Sequence, residues 1–228
     1  MNKKTKVGVV TIGQSPRMDV VPEIKEVAGV EAEYLECGAL DGLSLSEIEK
    51  LAPEGGEYML VARMGDGSQV RLARSKIVEK MQECTDKLLE QGADLVIILC
   101  VGEWPEFTSE KLVITPSEPL CGFTLGLLRK GNRLGVIVPA ADQIDDFRGK
   151  WNKEGVEVVV TSSSAYGPTA TDESKRAAQI LKERDVDLVV MDCPGYTMEA
   201  KQIVQHITGK PVILVRTAVA AMIKQLLG

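Results

Sequence analysis

Two stretches of the chain, Ala93–Gly102 (ADLVIILCVG) and Val186–Gly195 (VDLVVMDCPG), carry one pattern. Asp-Leu-Val opens an apolar run, a cysteine closes it, and a glycine follows two residues later, with an offset of 93 residues at every matched position. A thiol titrates at about 8.5 and, lowered by a helix N-terminus, can hold or release a proton near neutral pH. Cys100 and Cys193, at equivalent ends of two equivalent halves, would face each other across a cleft if the halves pack about a pseudo-twofold axis. One thiolate then takes a proton from one face of a carbon acid while the opposite thiol delivers one to the other, which is racemisation or epimerisation. A helix expected to begin after each cysteine would favour the thiolate with its free N–H groups and hold a substrate carboxylate.

The elements that position these thiols are short aliphatic strands alternating with segments of helical period, the pattern of βαβ units and a parallel sheet. Strands are expected at Val7–Ile12, Glu33–Leu35, Leu95–Leu99, Leu112–Ile114, Leu134–Val138, Val156–Val160, Leu188–Met191 and Val212–Val215. Helices are expected at Ser75–Gln91, Asp142–Glu154, Asp172–Arg184 and Glu199–Ile207. A second echo, KVGVVTIG from Lys6 and RLGVIVPA from Arg133, places Gly8 and Gly135 alike. The fold class is therefore α/β, two pseudo-symmetric half-domains, each a parallel sheet flanked by helices. The first half, 1–118, carries a β-hairpin insertion at 57–73 around Gly65-Asp66-Gly67, and the second covers 119–228, with the last helix, 218–227, free to pack back on the first.

Ligands of open parallel sheets bind at the carboxyl ends of the strands, so the residues there are the ones to weigh. After the first strand, Gln14 and Ser15 offer neutral hydrogen bonds and Arg17 a two-pronged carboxylate grip. Beside the cysteines stand Gly102, Glu103, Gly195 and Tyr196, and the strand ending near Thr161 supplies Ser162 and Ser163. The bland reading of that hydroxyl-rich segment is a loop followed by a helix cap at Thr171 or Asp172. His206 reads as a helix-surface residue.

Composition narrows the partners. The net charge of −6 is spread along 228 residues without a basic run, and aromatic residues are 4% of the chain, which argues against nucleic acid and anionic membranes. No segment reaches the ~20 apolar residues of a spanning helix, so a cytoplasmic protein is expected. Five cysteines, no Cys-x-x-Cys and one histidine argue against a disulfide framework and a zinc site and predict reduced thiols, with Cys84 and Cys121 in core positions. Neither a dinucleotide nor a triphosphate glycine loop is present, and no metal or organic cofactor is expected. The expected partners are a small carboxylate and, at most, a second copy of the chain.

The opening VGVVTIGQSPRMDVVPEI, the hairpin segment MGDGSQVRLAR, the first cysteine phrase and DCPGYT resemble the AroM family over nearly the whole chain. That family is similar to the aspartate/glutamate/hydantoin racemase superfamily, whose members use one cysteine from each half without metal or organic cofactor. The resemblance implies Cys100 and Cys193 as that pair. CPGY resembles the Cys-x-Gly-Met of hydantoin racemases, whereas the Asn or Thr that grips the substrate carboxylate in amino-acid racemases is replaced here by Val101-Gly102 and Pro194-Gly195. A second reading keeps the same fold as a non-catalytic protein that binds or senses a small ligand. A third makes the two thiols a redox pair.

Overall fold

The computed structural model describes residues 4–228; Met1–Lys3, part of the lysine-bearing opening, lie outside the described residues. The chain divides into two units. One runs to Ser117 and includes Leu226–Gly228, and the other comprises Glu118–Gln225.

The first unit is built in the order β1 (Thr5–Thr11), α1 (Val21–Ala28), β2 (Ala32–Gly38), α2 (Leu45–Glu49), β3 (Met59–Arg63), β4 (Gln69–Ala73), α3 (Arg74–Glu90), β5 (Leu95–Ile98) and β6 (Val113–Ile114). Its sheet, ordered β2-β1-β5-β6, is parallel throughout, and β3 and β4 form a separate antiparallel hairpin. The hairpin forms where expected because its turn is chemically specified. The Asp66 carboxylate accepts from both the N–H and the hydroxyl of Ser68, and Gly67 takes the positive φ of 90°.

The second unit follows as α4 (Ser117–Leu127), β7 (Arg133–Val138), a 3-10 turn (Ala141–Gln143), α5 (Ile144–Lys150), β8 (Glu157–Ser162), α6 (Ala170–Glu183), β9 (Leu188–Met191), α7 (Met198–Thr208), β10 (Val212–Leu214) and α8 (Val215–Leu227). Its sheet, ordered β8-β7-β9-β10, is again parallel and repeats the topology of the first. The α/β architecture read from the sequence is thus the observed one. No helix among the described residues is long and apolar enough to cross a membrane.

The duplicated phrases do the same physical work in both units. Asp94 accepts the Lys6 N–H at 2.9 Å and returns its own N–H to the Lys6 carbonyl at 2.8 Å. Asp187 does this with Arg133, both bonds at 2.8 Å, which holds the Asp187 carboxyl below its usual range. Gly8 then pairs with Val96, and Gly135 with Val189, in corresponding registers. The glycines admit the covering helices: a Cβ on Gly8 would meet Leu88 of α3 at 3.3 Å, and one on Gly135 would meet Leu181 of α6 at 3.0 Å. Leu88 and Leu181 are both fully buried, each in the apolar cluster of its own unit.

The loop after β1 is closed on itself. Arg17 is buried, its Nε and one terminal nitrogen donate to the two Asp19 oxygens at 2.9 Å, and its other terminal nitrogen donates to Thr11 Oγ1. Burial raises the Asp19 carboxyl, but the hydrogen bond and charge of Arg17, with Arg63 at 3.5 Å behind it, outweigh that and hold it below its usual range.

One expectation is corrected. Cys37, at the end of β2, and Cys84, on α3, are joined as a disulfide with Cα atoms 5.5 Å apart, so the chain does not keep five reduced thiols. The two are 47 residues apart and meet because α3 packs over β1 and β2, a long-range event that spacing rules cannot see. The free cysteines are Cys100, Cys121 and Cys193.

Two predictions follow from these contacts. Alkylation of the denatured, unreduced protein, read by intact mass, is expected to label three cysteines, and five after reduction. Because ionised Asp19 is favoured by folding, its stabilisation is present at pH above about 4 and is lost as pH falls through the lower folded value. Asp19→Asn is therefore expected to lose roughly 2 kcal/mol at pH 7, since the buried Arg17 keeps only part of its partnership, with the gap closing in urea titrations as pH falls through the lowered carboxyl value.

Candidate active site

Cys100 and Cys193 each lie two residues beyond a central strand, β5 and β9, where the parallel ladder releases the chain. They are 8% and 7% exposed. The last ladder-like bonds before them match as well, Leu99 donating to the Val10 carbonyl and Asp192 to the Ile137 carbonyl. Both thiols are then met by the same group. The Gly102 N–H donates to Cys100 Sγ at 3.5 Å and the Gly195 N–H to Cys193 Sγ at 3.4 Å. A backbone N–H aimed at sulfur favours the thiolate over the thiol.

This replaces the expected helix N-termini. No helix follows Cys100: residues 101–112 run as irregular chain to β6, in keeping with Pro105 and the extended bias it imposes on Trp104. After Cys193 the helix α7 starts only at Met198, capped by Thr197, whose hydroxyl accepts the Ala200 N–H at 3.1 Å.

Around Cys100 the structure adds a residue that the sequence reading passed over. A methyl group placed on Gly102 would fall 2.9 Å from Leu60 Cδ2, 3.6 Å from Cys100 Sγ and 3.7 Å from Trp104 Nε1, so the thiol and the indole N–H both lie close to this glycine. That indole nitrogen is buried without a hydrogen-bond partner among the described residues. A buried, unsatisfied donor costs about 1–3 kcal/mol, which a ligand oxygen would return. Glu103 itself is exposed, and its carbonyl accepts from Arg74 at 2.8 Å. The signal for Trp104 in the sequence was only its adjacency to Glu103.

Around Cys193 an aromatic residue also stands over the glycine. A Cβ on Gly195 would overlap the Tyr166 ring where it now stands. Tyr196 is buried, and its hydroxyl donates to the Ser163 carbonyl at 2.6 Å, tying the cysteine turn to the loop after β8. Burial, then the neighbouring Cys193, Asp192, Tyr166 and Glu173, push its ionisation well above the usual range, so it remains a neutral phenol. Asp192 is fully buried and takes Lys150 Nζ at 2.8 Å and Trp151 Nε1 at 2.6 Å.

The remaining predicted residues divide. Ser162, with Ser164, lines a cavity of about 500 Å³ at the carboxyl ends of β7 and β8, bordered also by Ala140, Thr169, Glu173 and Arg176. Ser163 is buried beneath it with its hydroxyl 3.1 Å from that of Ser174. The helix behind this loop starts at Ala170 with Thr169 in the cap position, not Thr171 or Asp172, and Glu173 accepts from both the Thr169 hydroxyl and the Ser164 N–H at 2.7 Å. These bonds, the Ser164 one first, hold the Glu173 carboxyl below its usual range. Gln14, Ser15 and Arg17 each have partners within the first unit. The Gln14 side-chain oxygen accepts the Gly65 N–H of the hairpin at 2.7 Å, and Ser15 donates through its N–H and hydroxyl to Asp41. His206 is exposed on α7. Among the described residues no three His, Cys, Asp or Glu side chains gather where they could hold a metal ion.

Comparison with known proteins places this arrangement. No curated protein matches the chain. Among solved structures it is similar to glutamate racemase from Aquifex pyrophilus, at a TM-score of 0.59 and 14% identity over 98% of this chain and 84% of that one. Unliganded arylmalonate decarboxylase is similar at a TM-score of 0.56 and 16% identity over 99% and 93%. The maleate isomerase Iso from Pseudomonas putida S16 is similar at 0.54 and 15% over 98% and 93%. At such identities the likeness establishes the shared racemase-like fold. The AroM protein family matches residues 7–227, nearly the whole sequence, and the chain belongs to that family.

Proposed function

We propose that the protein is a cofactor-independent racemase- or epimerase-like enzyme that moves a proton on a small carboxylate with two thiols, Cys100 and Cys193. The observation that carries this reading is the repeated thiol environment, a sulfur two residues past a central strand that accepts the N–H of the glycine two residues after it. One unit's thiolate removes the proton beside the carboxylate, the carbanion carries the charge into the carboxylate oxygens, and the other unit's thiol returns a proton. Positioned acid and base groups of this kind contribute about 10²- to 10⁴-fold each.

The unpaired Trp104 N–H beside Cys100 supports a carboxylate as the ligand, because it offers a neutral donor where charge accumulates. The glutamate racemase, arylmalonate decarboxylase and maleate isomerase to which the fold is similar suggest the acids to try first.

The test is incubation of the full chain in deuterium oxide with D- and L-glutamate, maleate and an arylmalonate, followed by NMR. Deuterium incorporation or stereochemical change on one of them is expected, with Cys100→Ala and Cys193→Ala each losing at least about 100-fold. Turnover that survives replacement of both cysteines ends the two-thiol reading. Thermal stabilisation by an acid that persists after both thiols are alkylated, with no exchange, favours the non-catalytic binding protein instead. Trp104→Phe keeps the ring and deletes the donor, and is expected to raise KM for the accepted acid by about tenfold with the protein still folded, since one neutral hydrogen bond is worth about 1 kcal/mol and an unpaired donor somewhat more.

A further inference from the structure

The geometry points to Arg216 as a positioning residue that holds Cys193 ready to act as the base. It rests on the two-thiol reading only in naming that role. Arg216 stands at the start of α8 with 2% of its surface exposed. Its Nε donates to the Pro194 carbonyl at 3.1 Å and a terminal nitrogen donates to the Gly195 carbonyl at 2.9 Å.

The first of these bonds matters most. The Pro194 carbonyl and the Gly195 N–H belong to one peptide plane. Arg216 grips that plane by its oxygen while the opposite edge donates to Cys193 Sγ at 3.4 Å. A cation on the carbonyl oxygen draws electron density through the amide and makes its N–H a stronger donor, so a guanidinium that never touches the thiol favours the thiolate. The planar fork also fixes the direction of the plane, which a single point contact would leave free to rotate.

The charges around the loop are compatible with this. Asp192 and Lys150 form a buried pair at 2.8 Å and offset one another. Glu173 is engaged by Ser164 and Thr169, and Tyr166 and Tyr196 are further ionisable groups near the turn. In the first unit the segment after β6 is Thr115-Pro116-Ser117, with no cationic residue at the matching place. Arg74, the arginine on the Cys100 loop, grips the Glu103 carbonyl, whose peptide carries the Trp104 N–H and not the one on Cys100 Sγ. The two thiol environments, alike in their glycine N–H, differ in what stands behind it.

The test reads each thiol separately in the full chain without substrate. Iodoacetamide labelling from pH 5 to 10 is followed by peptide mass spectrometry of the Cys100 and Cys193 peptides. In the unaltered protein the Cys193 inflection is expected below that of Cys100. In Arg216→Gln the Cys193 inflection is expected to rise by about one pH unit, roughly tenfold slower labelling at pH 7, while the Cys100 curve stays in place as the internal control. Arg216→Lys, which keeps the charge and loses the fork, is expected to fall between them, and it serves if the glutamine variant does not fold. A Cys193 inflection unchanged in both variants, or one that moves together with that of Cys100, overturns the assignment. Because no substrate is present, failure of the deuterium experiment leaves this outcome readable on its own.

Discussion

One carboxylate in each unit sets the register on which the thiol positions depend. Asp94 and Asp187 each accept a backbone N–H at the start of the neighbouring central strand and give their own N–H to the same residue's carbonyl. Side chains alternate along a strand, so a slip of one residue would turn every side chain of β5 or β9 to the opposite face. With the register pinned at one end, only four strand residues separate the aspartate from the point where the ladder releases the chain. The cysteine two residues past that point inherits its direction from a bond at the other end of the strand. The repeated Asp-Leu-Val is therefore as much a part of the thiol site as the Cys-x-Gly.

Most of the fold was legible in the sequence because it is written in local terms. Continuous aliphatic runs marked the buried parallel strands, Leu188–Met191 to the residue, and the Gly-Asp-Gly turn marked the hairpin. The echo of Gly8 in Gly135 reflected tight packing, since a side chain at either place would press on a leucine of the covering helix, Leu88 of α3 or Leu181 of α6. What stayed hidden depends on partners distant in sequence. The Cys37–Cys84 bond is made by the packing of α3, Ser15 finds Asp41 in the loop after β2, and Gln14 finds Gly65 at the tip of the hairpin. Arg216 fell in the gap between a strand read to Val215 and a helix read from 218, whereas the chain passes from β10 into α8 without a break. Thr197 capping α7, and the irregular chain after Cys100, show that a glycine after a strand does not by itself announce a helix.

The two units thus share a frame and differ in its trim. The first continues past its cysteine into twelve irregular residues carrying Trp104, and the second turns within four residues into a capped helix and buries a lysine–aspartate pair beside the thiol. Duplicated halves that keep their registers while changing their loops can present two equivalent sulfurs in unequal surroundings.

The contact of Tyr166 with Gly195 carries a consequence for how the site can vary. Because the phenol ring occupies the volume that any side chain at position 195 would need, the two positions form a single degree of freedom. A larger residue at 195 would have to displace the Tyr166 ring from beside the second thiol. The volume beside Cys193 is thus shared between positions 166 and 195, and a change at either alters the space the other leaves.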